Sequence, residues 1–458
     1  MRSCSEALVE FVDQLRLDRI PREVREKAKL IVLDTLGISL ASSTMDFGRM
    51  VIEVTRNLGG PAQSRIIGTP LRVASANAVL ANGTLAHGLD YDDTLEEAVV
   101  HTGCCVVTTA MAVGEEMEST GRHLLEAVAA GIEVMGKIGL AVPGKFPDRG
   151  FHSTGLCGTF GAAAAAGKLC GLNVPQMMDA FGICGSQSSG ILECLADGTW
   201  TKRLHAGWAA HAGVIAALLA AKGFRATPSV FEGCHGFYRA FASDEGQMLA
   251  GLVEGLGRAW EIPRITFKPY PCGAISHPYM DCALRLREVH HLRPEDIAEV
   301  RCRTAEGPIP ILWEPLAEKR RPSTSYGAKF SLPYSIAVIV VRGKAGLEEF
   351  SDESIHDPQV LDLAGKVSYE SDPSIDFPRH FSGHVKAVLK DGTIVEENQP
   401  HPRGGIEMPL PPGEIVEKFR DNALMALSPE KVEKIIEAVG KIEHMPSVTS
   451  LAELLTPT

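Results

Sequence analysis

Apolar and polar residues in the first 260 positions of the chain follow the period of an amphipathic helix. In "VREKAKLIVLDTLGISLAS" the apolar residues recur at intervals of three and four, as on a helix that buries one face. "ASANAVLANGTLAHGLD", "CCVVTTAMAVGEEM" and "HLLEAVAAGIEVMGKIGLA" carry small residues at similar spacing. Because alanine and glycine let helices approach closely, we expect these segments in the middle of a bundle. The pattern from Ser5 to about Pro263 therefore predicts a helical domain.

The pattern changes after about residue 264 to a mixture of strand and helix signals. "IAEVRCRTAE" alternates with a period of two, which is typical of a strand. "HVKAVLKDGTIVEEN" contains two such runs around Asp391 and Gly392, and Asp-Gly is a strong signal for a two-residue hairpin turn. Between them, "AKFSLPYSIAVIVVRGKAG" predicts a helix with Ser331 as its N-cap and Pro333 in its first turn. These signals predict a smaller α+β domain over residues 264–402.

The last segment of the chain returns to helical periodicity. "EIVEKFRDNALMAL" and "SPEKVEKIIEAVGKIEH" both repeat apolar residues at helical spacing, and the second begins with a Ser-Pro start signal. Residues 403–458 are therefore predicted to form a helical tail, and the fold class is mainly α. A cleft between two domains is a usual place for a small-molecule site.

Composition and charge narrow the class of protein. The chain has 458 residues, is 45% hydrophobic and carries a net charge of -12 without a long acidic run, which favours solubility and argues against non-specific nucleic-acid binding. The most apolar stretch, "WAAHAGVIAALLA", is too short to span a membrane and stops at Lys222. The N-terminus predicts an amphipathic helix rather than a signal peptide. The 11 cysteines contain no C-x-x-C pair, which is typical of buried, reduced thiols. We expect a cytoplasmic protein with no membrane role.

The segment "HGLDYDDT" places three carboxylates within four positions. Asp90, Asp92 and Asp93 are candidates for metal ligands, for a proton donor, or for a polar turn between helices. Free carboxylates cannot stay inside a bundle without partners, so the segment must face water, a cation or a ligand. Asp92 or Asp93, with Thr94, is suited to cap a helix that enters "LEEAVV". Of the three aspartates, Asp90 is the one whose position is least well explained by helix capping.

Three further segments contain candidate chemical groups. His152 in "RGFHSTG" lies near the N-terminus of a predicted helix, where backbone amides can hold an anion; the glycines after it do not have dinucleotide-binding spacing. Lys202, Arg203 and His205 precede an apolar helix, where cations gain nothing from the helix dipole. They indicate either a bound anion or a solvated basic turn. His277 lies where the pattern changes and is either an acid/base candidate or structural.

Five motifs taken together resemble the MmgE/PrpD family. They are "ANGTLAHGLDYDDT", "RGFHSTGLCGTFGAAAAAGKL", "GTWTKRLHAGWAAHAGVIAALLAAKGF", "KPYPCGAISHPYMD" and "YGAKFSLPYSIA". The family includes 2-methylcitrate dehydratase, cis-aconitate decarboxylase and iminodisuccinate epimerase, which act on small polycarboxylates without a required metal or organic cofactor. The resemblance implies a discontinuous helical domain made of residues 1–263 and 403–458, a lid domain of residues 264–402, and a homodimer.

The resemblance also implies the site residues. The catalytic residues that it implies are Asp90, His101, His152, Lys202 and His277, and the substrate-binding residues are Thr94, Arg203 and Tyr326. Thr102 stands where many relatives have proline, and "LEEAVV" brings two glutamates; both departures concern the substrate more than the reaction type. Lys202 would bind a carboxylate and stabilise developing negative charge, with Arg203 as a second cation. The histidines would supply acid/base groups, and Asp90 would orient one of them.

The sequence thus predicts a cofactor-independent lyase of a small di- or tricarboxylate, with no cofactor and no metal. Dehydration is the first choice because it is the commonest named activity in the family, and decarboxylation or epimerisation on the same scaffold are the alternatives. A D-x-D-D proton-donor cyclase predicts an aromatic-lined cavity, which 6% aromatic residues argues against. A non-catalytic homologue is the remaining alternative. Within the opening motif we expect Asp90 and Thr94 to face the substrate, and Asp92 and Asp93 to cap a helix or hold the turn.

Overall fold

The computed structural model describes residues 3–243, 249–377 and 381–457. Within them the helices of eight or more residues are α1 (Cys4–Gln14), α2 (Arg22–Ser43), α3 (Asp46–Leu58), α4 (Ser75–His87), α5 (Gly103–Glu116), α6 (Gly121–Leu140), α7 (Ser153–Leu169), α8 (Val174–Gln187), α9 (Thr201–Ala221), α10 (His277–Glu288), α11 (Leu332–Arg342), α12 (Pro412–Ala423) and α13 (Pro429–Gly440). The strands are β1 (Ser64–Arg65), β2 (Arg72–Val73), β3 (Ile297–Thr304), β4 (Val367–Ser371), β5 (Gly383–Leu389) and β6 (Ile394–Gln399).

Shorter helical segments connect these elements. They are Lys145–Asp148, Cys194–Asp197, Phe237–Ala242, Leu249–Val253, Leu316–Arg320, Ser325–Ala328, Pro358–Ala364 and Thr449–Leu454, with 3₁₀ turns at Leu17–Arg19, Ile262–Arg264, Ala274–Ser276, Pro294–Asp296, Glu348–Phe350, Ser354–His356 and Ile442–His444, and a π turn at Ile309–Trp313. The mainly α fold class with a small α+β part is confirmed.

The chain divides into two compact units, each described here by itself. The first contains Met1–Leu192, Thr201–Ile265 and Pro411–Thr458, and the second contains Glu193–Trp200 and Thr266–Leu410. In the first unit, α9 packs against α7 and α4, and α6 packs against α7. These four helices form the interior of the unit. Lys202 and Arg203 lie on α9, and the other candidate site residues of this unit, Asp90, Thr94, His101 and His152, lie in the segments between helices.

Two glycines set the distance between α4 and α9. A Cβ atom at Gly83 would lie 2.8 Å from the Cα of Gly207, and one at Gly207 would lie 2.3 Å from the carbonyl oxygen of Leu80. Any larger residue would push the helices apart, because protein interiors leave no room for added atoms. The expectation that small residues mark closely packed helices is confirmed here. The close approach also brings the last turn of α4 beside the first turn of α9.

The second unit is built on a four-stranded mixed sheet with the order β4-β3-β5-β6. Strands β3 and β4 are parallel, and the other pairs are antiparallel. The predicted helix after Ser331 is confirmed as α11, since the Ser331 hydroxyl accepts from the Tyr334 amide. The predicted hairpin is confirmed, but its loop is longer than predicted. The Leu389 amide bonds to the Thr393 carbonyl, and Gly392 takes the left-handed conformation with φ 88°, which closes a three-residue loop instead of a two-residue one.

Among the described residues, one helix is long and apolar enough to cross a membrane by length and composition alone. It is α9, and 61% of its most apolar window is buried within the protein. Helices α2 and α3 pass the same test only as a pair bent by 91°. A buried core helix has the same composition, so this feature is weak evidence for a membrane span.

Candidate active site

The loop that follows α4 carries the three carboxylates of the opening motif. His87 is the last residue of α4, and Asp90 three residues later takes a left-handed conformation with φ 53°, which aspartate adopts more readily than most residues. His87, Asp90, Asp92 and Asp93 are all buried. Such side chains require partners, because an unpaired buried charge is costly.

Lys202 in the first turn of α9 supplies one of these partners. Its Nζ atom lies 3.3 Å from Asp90 Oδ2 and 3.2 Å from His87 Nε2, and the residue is only 5% exposed. An ammonium group and a carboxylate at this distance form a buried ion pair. Asp90 thus contacts another residue of the predicted site, and its expected contact with a substrate stays a prediction.

Asp92 and Asp93 have different roles from each other. Asp92 Oδ2 lies 2.8 Å from His87 Nδ1, and its other oxygen lies 3.7 Å from His101 Nδ1. Asp93 accepts hydrogen bonds from the Thr102 hydroxyl and amide and from the Gly103 amide at 2.8 Å, so it caps the start of α5. Burial raises the pKa of Asp93 to about 6, and the Thr102 hydrogen bond opposes this.

The expectation that these aspartates cap a helix entering "LEEAVV" is therefore wrong. The segment from Leu95 to Val100 forms no helix and closes as a tight loop through two backbone hydrogen bonds between its end residues. Asp93 is engaged by the later helix, and Asp92 binds the imidazoles. Capping is correct as a role for Asp93, but for a helix that begins ten residues further along the chain.

The C-terminal segment supports this loop from within the same unit. Lys418 on α12 donates to the Tyr91 carbonyl at 2.8 Å, lies 3.8 Å from the centre of the Tyr91 ring, and pairs with Asp34 at 2.8 Å. Tyr91 lies between the site residues Asp90 and Asp92. The helical tail thus holds the backbone from which two carboxylates project.

Two further histidines adjoin this group. His101 Nδ1 lies 3.1 Å from the Thr94 hydroxyl and 2.9 Å from the Asp93 carbonyl. His152 immediately precedes α7, and its Nδ1 lies 3.1 Å from His205 Nδ1 on α9. The His87 ring centre is 4.8 Å from that of His101 and 5.3 Å from that of His152. Four imidazoles thus form one connected cluster.

The electrostatics of the cluster favour neutral imidazoles. Burial, reinforced by Lys202, lowers the pKa of His152 well below its usual range, and burial also lowers the pKa of His87. Burial lowers the pKa of His205 to about 4. The short Nδ1 to Nδ1 distance between His152 and His205 has room for one proton only, which agrees with a neutral pair. In the absence of an anion these groups can act as bases and as hydrogen-bonding groups.

Five of the eight predicted site residues belong to this connected set: Asp90, Thr94, His101, His152 and Lys202. Arg203 is also buried in the first unit, with its guanidinium 4.2 Å from the centre of the Phe47 ring. His277 and Tyr326 belong to the second unit. His277 is the first residue of α10, and its Nε2 lies 3.3 Å from the Cys272 carbonyl. The Tyr326 ring lies against Phe330.

The sequence interpretation did not select His87, Asp92 or His205 as site residues. His205 had a usable signal, because it follows Lys202 by three positions and therefore lies on the same side of α9. For His87 the only signal in the sequence was its position just before the three carboxylates. The contact between Asp92 and His87 depends on the path of the loop, which no local spacing indicates.

The donor set can also hold a metal ion. Ring nitrogens of His87, His101 and His152 lie within 4.8 Å of one another, and His87, Asp92 and Cys104 form a second such group. Three imidazoles are suitable ligands for zinc. The sequence analysis expected no metal, and this group of imidazoles could not be found from spacing along the chain because three separate segments bring the rings together. The Lys202 ammonium beside His87 Nε2 opposes a second cation at that nitrogen.

Comparison with known proteins assigns the family. The MmgE/PrpD N-terminal domain matches residues 6–249, and the MmgE/PrpD C-terminal domain matches residues 270–444. The chain therefore belongs to the MmgE/PrpD family.

Curated relatives match the chain over almost its whole length. A cis-aconitate decarboxylase of Aspergillus terreus is 27% identical over 467 residues, which cover 97% of this chain and 94% of the relative. A cis-aconitate decarboxylase of Homo sapiens is 27% identical over 464 residues, with 99% and 95% covered. A 2-methylcitrate dehydratase of Cupriavidus necator is 23% identical over 484 residues, with 96% and 95% covered. These named relatives are lyases.

Proposed function

We propose that this protein is a cofactor-independent lyase that acts on a small di- or tricarboxylate, with decarboxylation of a substrate of the cis-aconitate type as the first candidate reaction. The observation that carries the proposal is the buried Lys202 ammonium, which lies between Asp90 and a cluster of neutral imidazoles. A polycarboxylate offers several anionic groups for such a cation. Over nearly the whole chain the identity is 27% to cis-aconitate decarboxylases and 23% to 24% to 2-methylcitrate dehydratases, which supports decarboxylation ahead of the dehydration favoured by sequence alone.

In decarboxylation the bond between a carboxylate carbon and the adjacent carbon breaks, and the carboxylate leaves as carbon dioxide. The electron pair moves onto the remaining unsaturated acid, where a neighbouring carboxylate takes it up as an enediolate. Lys202 stabilises this developing charge, because a fixed cation in a buried site acts strongly on nearby charge. An imidazole that has gained a proton after the polyanion binds then delivers that proton to carbon. Charge and protons balance, since one proton replaces the lost carbon dioxide.

Dehydration is the second candidate, and the dehydratase relative favours it. A neutral imidazole such as His152 removes the proton next to a carboxylate, an enediolate of the hydroxy acid forms, and hydroxide leaves as water after an acid donates a proton to it. Return of the removed proton to the opposite face gives epimerisation instead. All three reactions use the same cation and the same acid/base groups.

The test is incubation with cis-aconitate, citrate, 2-methylcitrate and iminodisuccinate in deuterium oxide, with products followed by NMR. We expect loss of carbon dioxide from cis-aconitate with deuterium at the new C–H position. Lys202→Ala should lower kcat/KM by about 100-fold or more, the usual effect of removing a group that stabilises transition-state charge. Lys222→Ala just beyond the other end of α9, where the side chain is exposed, is the matched control and should keep full activity.

Product identity separates the candidate reactions. If the enzyme eliminates water from citrate or 2-methylcitrate, the assigned reaction is dehydration and not decarboxylation. Stereochemical inversion of iminodisuccinate would indicate an epimerase. No exchange, elimination or decarboxylation with any of the four would overturn the polycarboxylate proposal. We expect activity to survive dialysis against EDTA, because Lys202 already supplies the positive charge beside His87. Loss of activity that zinc restores would show that the imidazole cluster works as a metal centre.

The assembly and location of the enzyme are also proposals. We propose a homodimer that acts on a diffusible substrate in the cytoplasm, without a nucleic-acid or membrane partner. An exposed apolar stripe on α9, which includes Leu204, Trp208 and Leu219, supports association with a second copy, because exposed apolar patches commonly mark interfaces.

A further inference from the structure

His87 connects the carboxylate loop to the lysine. It is completely buried, it ends α4, and each of its two ring nitrogens has a partner from a different element. Nδ1 lies 2.8 Å from Asp92 Oδ2 in the following loop, and Nε2 lies 3.2 Å from Lys202 Nζ at the start of α9. Asp92, His87 and Lys202 therefore form a buried chain of carboxylate, imidazole and ammonium.

The hydrogen-bonding capacities of the three groups fix where the imidazole proton lies. A carboxylate only accepts hydrogen bonds and an ammonium only donates them. The His87 proton therefore lies on Nδ1 and is donated to Asp92, while the Nε2 lone pair accepts from Lys202. Burial lowers the pKa of His87, with Asp92 opposing and Lys202 reinforcing that shift. The imidazole remains neutral in this arrangement, so that it can accept from the lysine.

Resting on the proposed function, we propose that His87 is a positioning residue that directs the Lys202 ammonium toward the substrate carboxylate, and that Asp92 fixes the His87 tautomer that makes this possible. The lysine side chain is long and flexible. Asp90 and His87 bind its terminal nitrogen from different elements, so two acceptors together restrict both the position of Nζ and the rotation of its N–H bonds. The directions of all N–H bonds of Lys202 are then set before substrate arrives, which reduces the entropy lost on binding.

Two amide substitutions separate the two contacts of His87. The asparagine side-chain nitrogen takes the position of Nδ1, so His87→Asn keeps the bond to Asp92 and loses the acceptor for Lys202. The glutamine side-chain oxygen reaches the position of Nε2, so His87→Gln keeps that acceptor and loses the bond to Asp92. We expect His87→Asn to lower kcat about tenfold or more and to raise KM, since a hydrogen bond to a charged group is lost. His87→Gln should recover most of kcat.

A spectroscopic readout needs no turnover. In protein labelled with ¹⁵N at lysine Nζ, the Lys202 signal is assigned by its loss in Lys202→Met. We expect this signal in the wild type and in His87→Gln, because a fixed hydrogen bond slows exchange of the ammonium protons with water. It should disappear in His87→Asn. His123→Asn, at an exposed histidine on α6, is the surface control and should match the wild type in both measurements.

The outcomes distinguish this proposal from the proposed function. If no polycarboxylate is turned over but the Lys202 signal follows the predicted pattern, the function is wrong and the positioning by His87 holds. Wild-type kcat, KM and Lys202 signal in His87→Asn would overturn the positioning role. Equal loss of activity in both variants with equally lowered Tm would also overturn it, because that result indicates a structural role alone.

Discussion

At the scale of single residues, the site is built so that its imidazoles are neutral until an anion arrives. The Nδ1 atoms of His152 and His205 lie 3.1 Å apart, which leaves room for one proton between them. Burial lowers the pKa of both below the ordinary value, and Lys202 reinforces that shift. A polyanionic substrate would reverse the sign of the local field, since an anion favours the protonated form of an adjacent imidazole. The substrate itself would therefore create the acid that the reaction needs.

This argument predicts proton uptake on ligand binding. Titration calorimetry with propane-1,2,3-tricarboxylate, which lacks the double bond and the hydroxyl, should give a buffer-dependent enthalpy corresponding to uptake of up to one proton at pH 7. The free protein has His152 unprotonated at that pH and the anion raises its pKa, so affinity should increase as the pH falls from 8 to 6. His152→Gln should reduce the uptake. An enthalpy independent of the buffer would contradict the prediction.

Local sequence signals indicated several of these side chains but not the contacts among them. Asp90, His152 and Lys202 could be selected from their residue types and positions, and His101 from the family resemblance. The pairing of Asp92 with His87 could not, because it depends on a left-handed turn at Asp90 and on Lys418 holding the Tyr91 carbonyl. Both features arise from tertiary structure, where a residue 327 positions away sets the path of the loop.

At the scale of elements, the helices can be predicted from the periodicity of apolar residues, but the conformations of the segments that connect them cannot. Helix α11 begins where Ser331 and Pro333 indicate, because caps and apolar faces are local properties. The segment from Leu95 to Val100 stays non-helical because Asp93 satisfies the amides at the start of α5 instead. The conformation of such a segment depends on hydrogen bonds to residues that are distant in the sequence. The local pattern of apolar and polar residues does not indicate those partners.

One such connection ties the Leu95–Val100 loop to α6. Glu133 on α6 accepts from the Glu261 amide at 2.8 Å and the Ile262 amide at 3.1 Å, and Lys137 on the same helix pairs with Glu261 at 2.7 Å. Arg264 in the next turn pairs with Glu97 in the loop at 2.6 Å. The turn at Ile262–Arg264 thus links the loop beside the site to the bundle interior.

The buried Glu133 carboxyl predicts how stability depends on pH. Burial raises the pKa of Glu133 to about 8 from an ordinary value of 4.5. The folded state therefore holds a proton that the unfolded state releases, and stability falls as the pH rises from about 4.5 to about 8. This one group contributes a slope of at most about 1.4 kcal/mol per pH unit. Glu133→Gln keeps an oxygen acceptor and removes the titration.

Unfolding in urea at several pH values measures the effect. We expect Glu133→Gln to gain stability relative to the wild type steadily between pH 5 and 8, and to differ least at pH 5. Glu53→Gln at an exposed position on α3 is the control and should keep a constant difference from the wild type. A difference between Glu133→Gln and the wild type that does not change with pH would show that the carboxyl is ionised in the folded state throughout this range.

At the scale of the whole molecule, α9 combines two surfaces. One side is buried against α4 and α7 and begins with Lys202, whereas the other exposes 40% of Leu204, 46% of Trp208 and 36% of Leu219. These three residues are separated by four and eleven positions, which places them along one stripe of the helix. Exposed apolar residues in a continuous stripe are typical of a surface that another chain covers. The expected homodimer would bury this stripe.

The association is tested by a charge placed at the centre of the stripe. Light scattering coupled to size-exclusion chromatography should give about twice the chain mass of 49.1 kDa for the wild type and the single-chain mass for Trp208→Glu, because a carboxylate buried in an apolar interface has no partner. Met117→Glu, at a residue 46% exposed beyond the end of α5, should leave the mass unchanged. Because Lys202 lies only six residues before Trp208 on α9, a monomer that also loses activity would indicate that association holds the start of this helix in place. A wild type that is monomeric at micromolar concentration would contradict the homodimer.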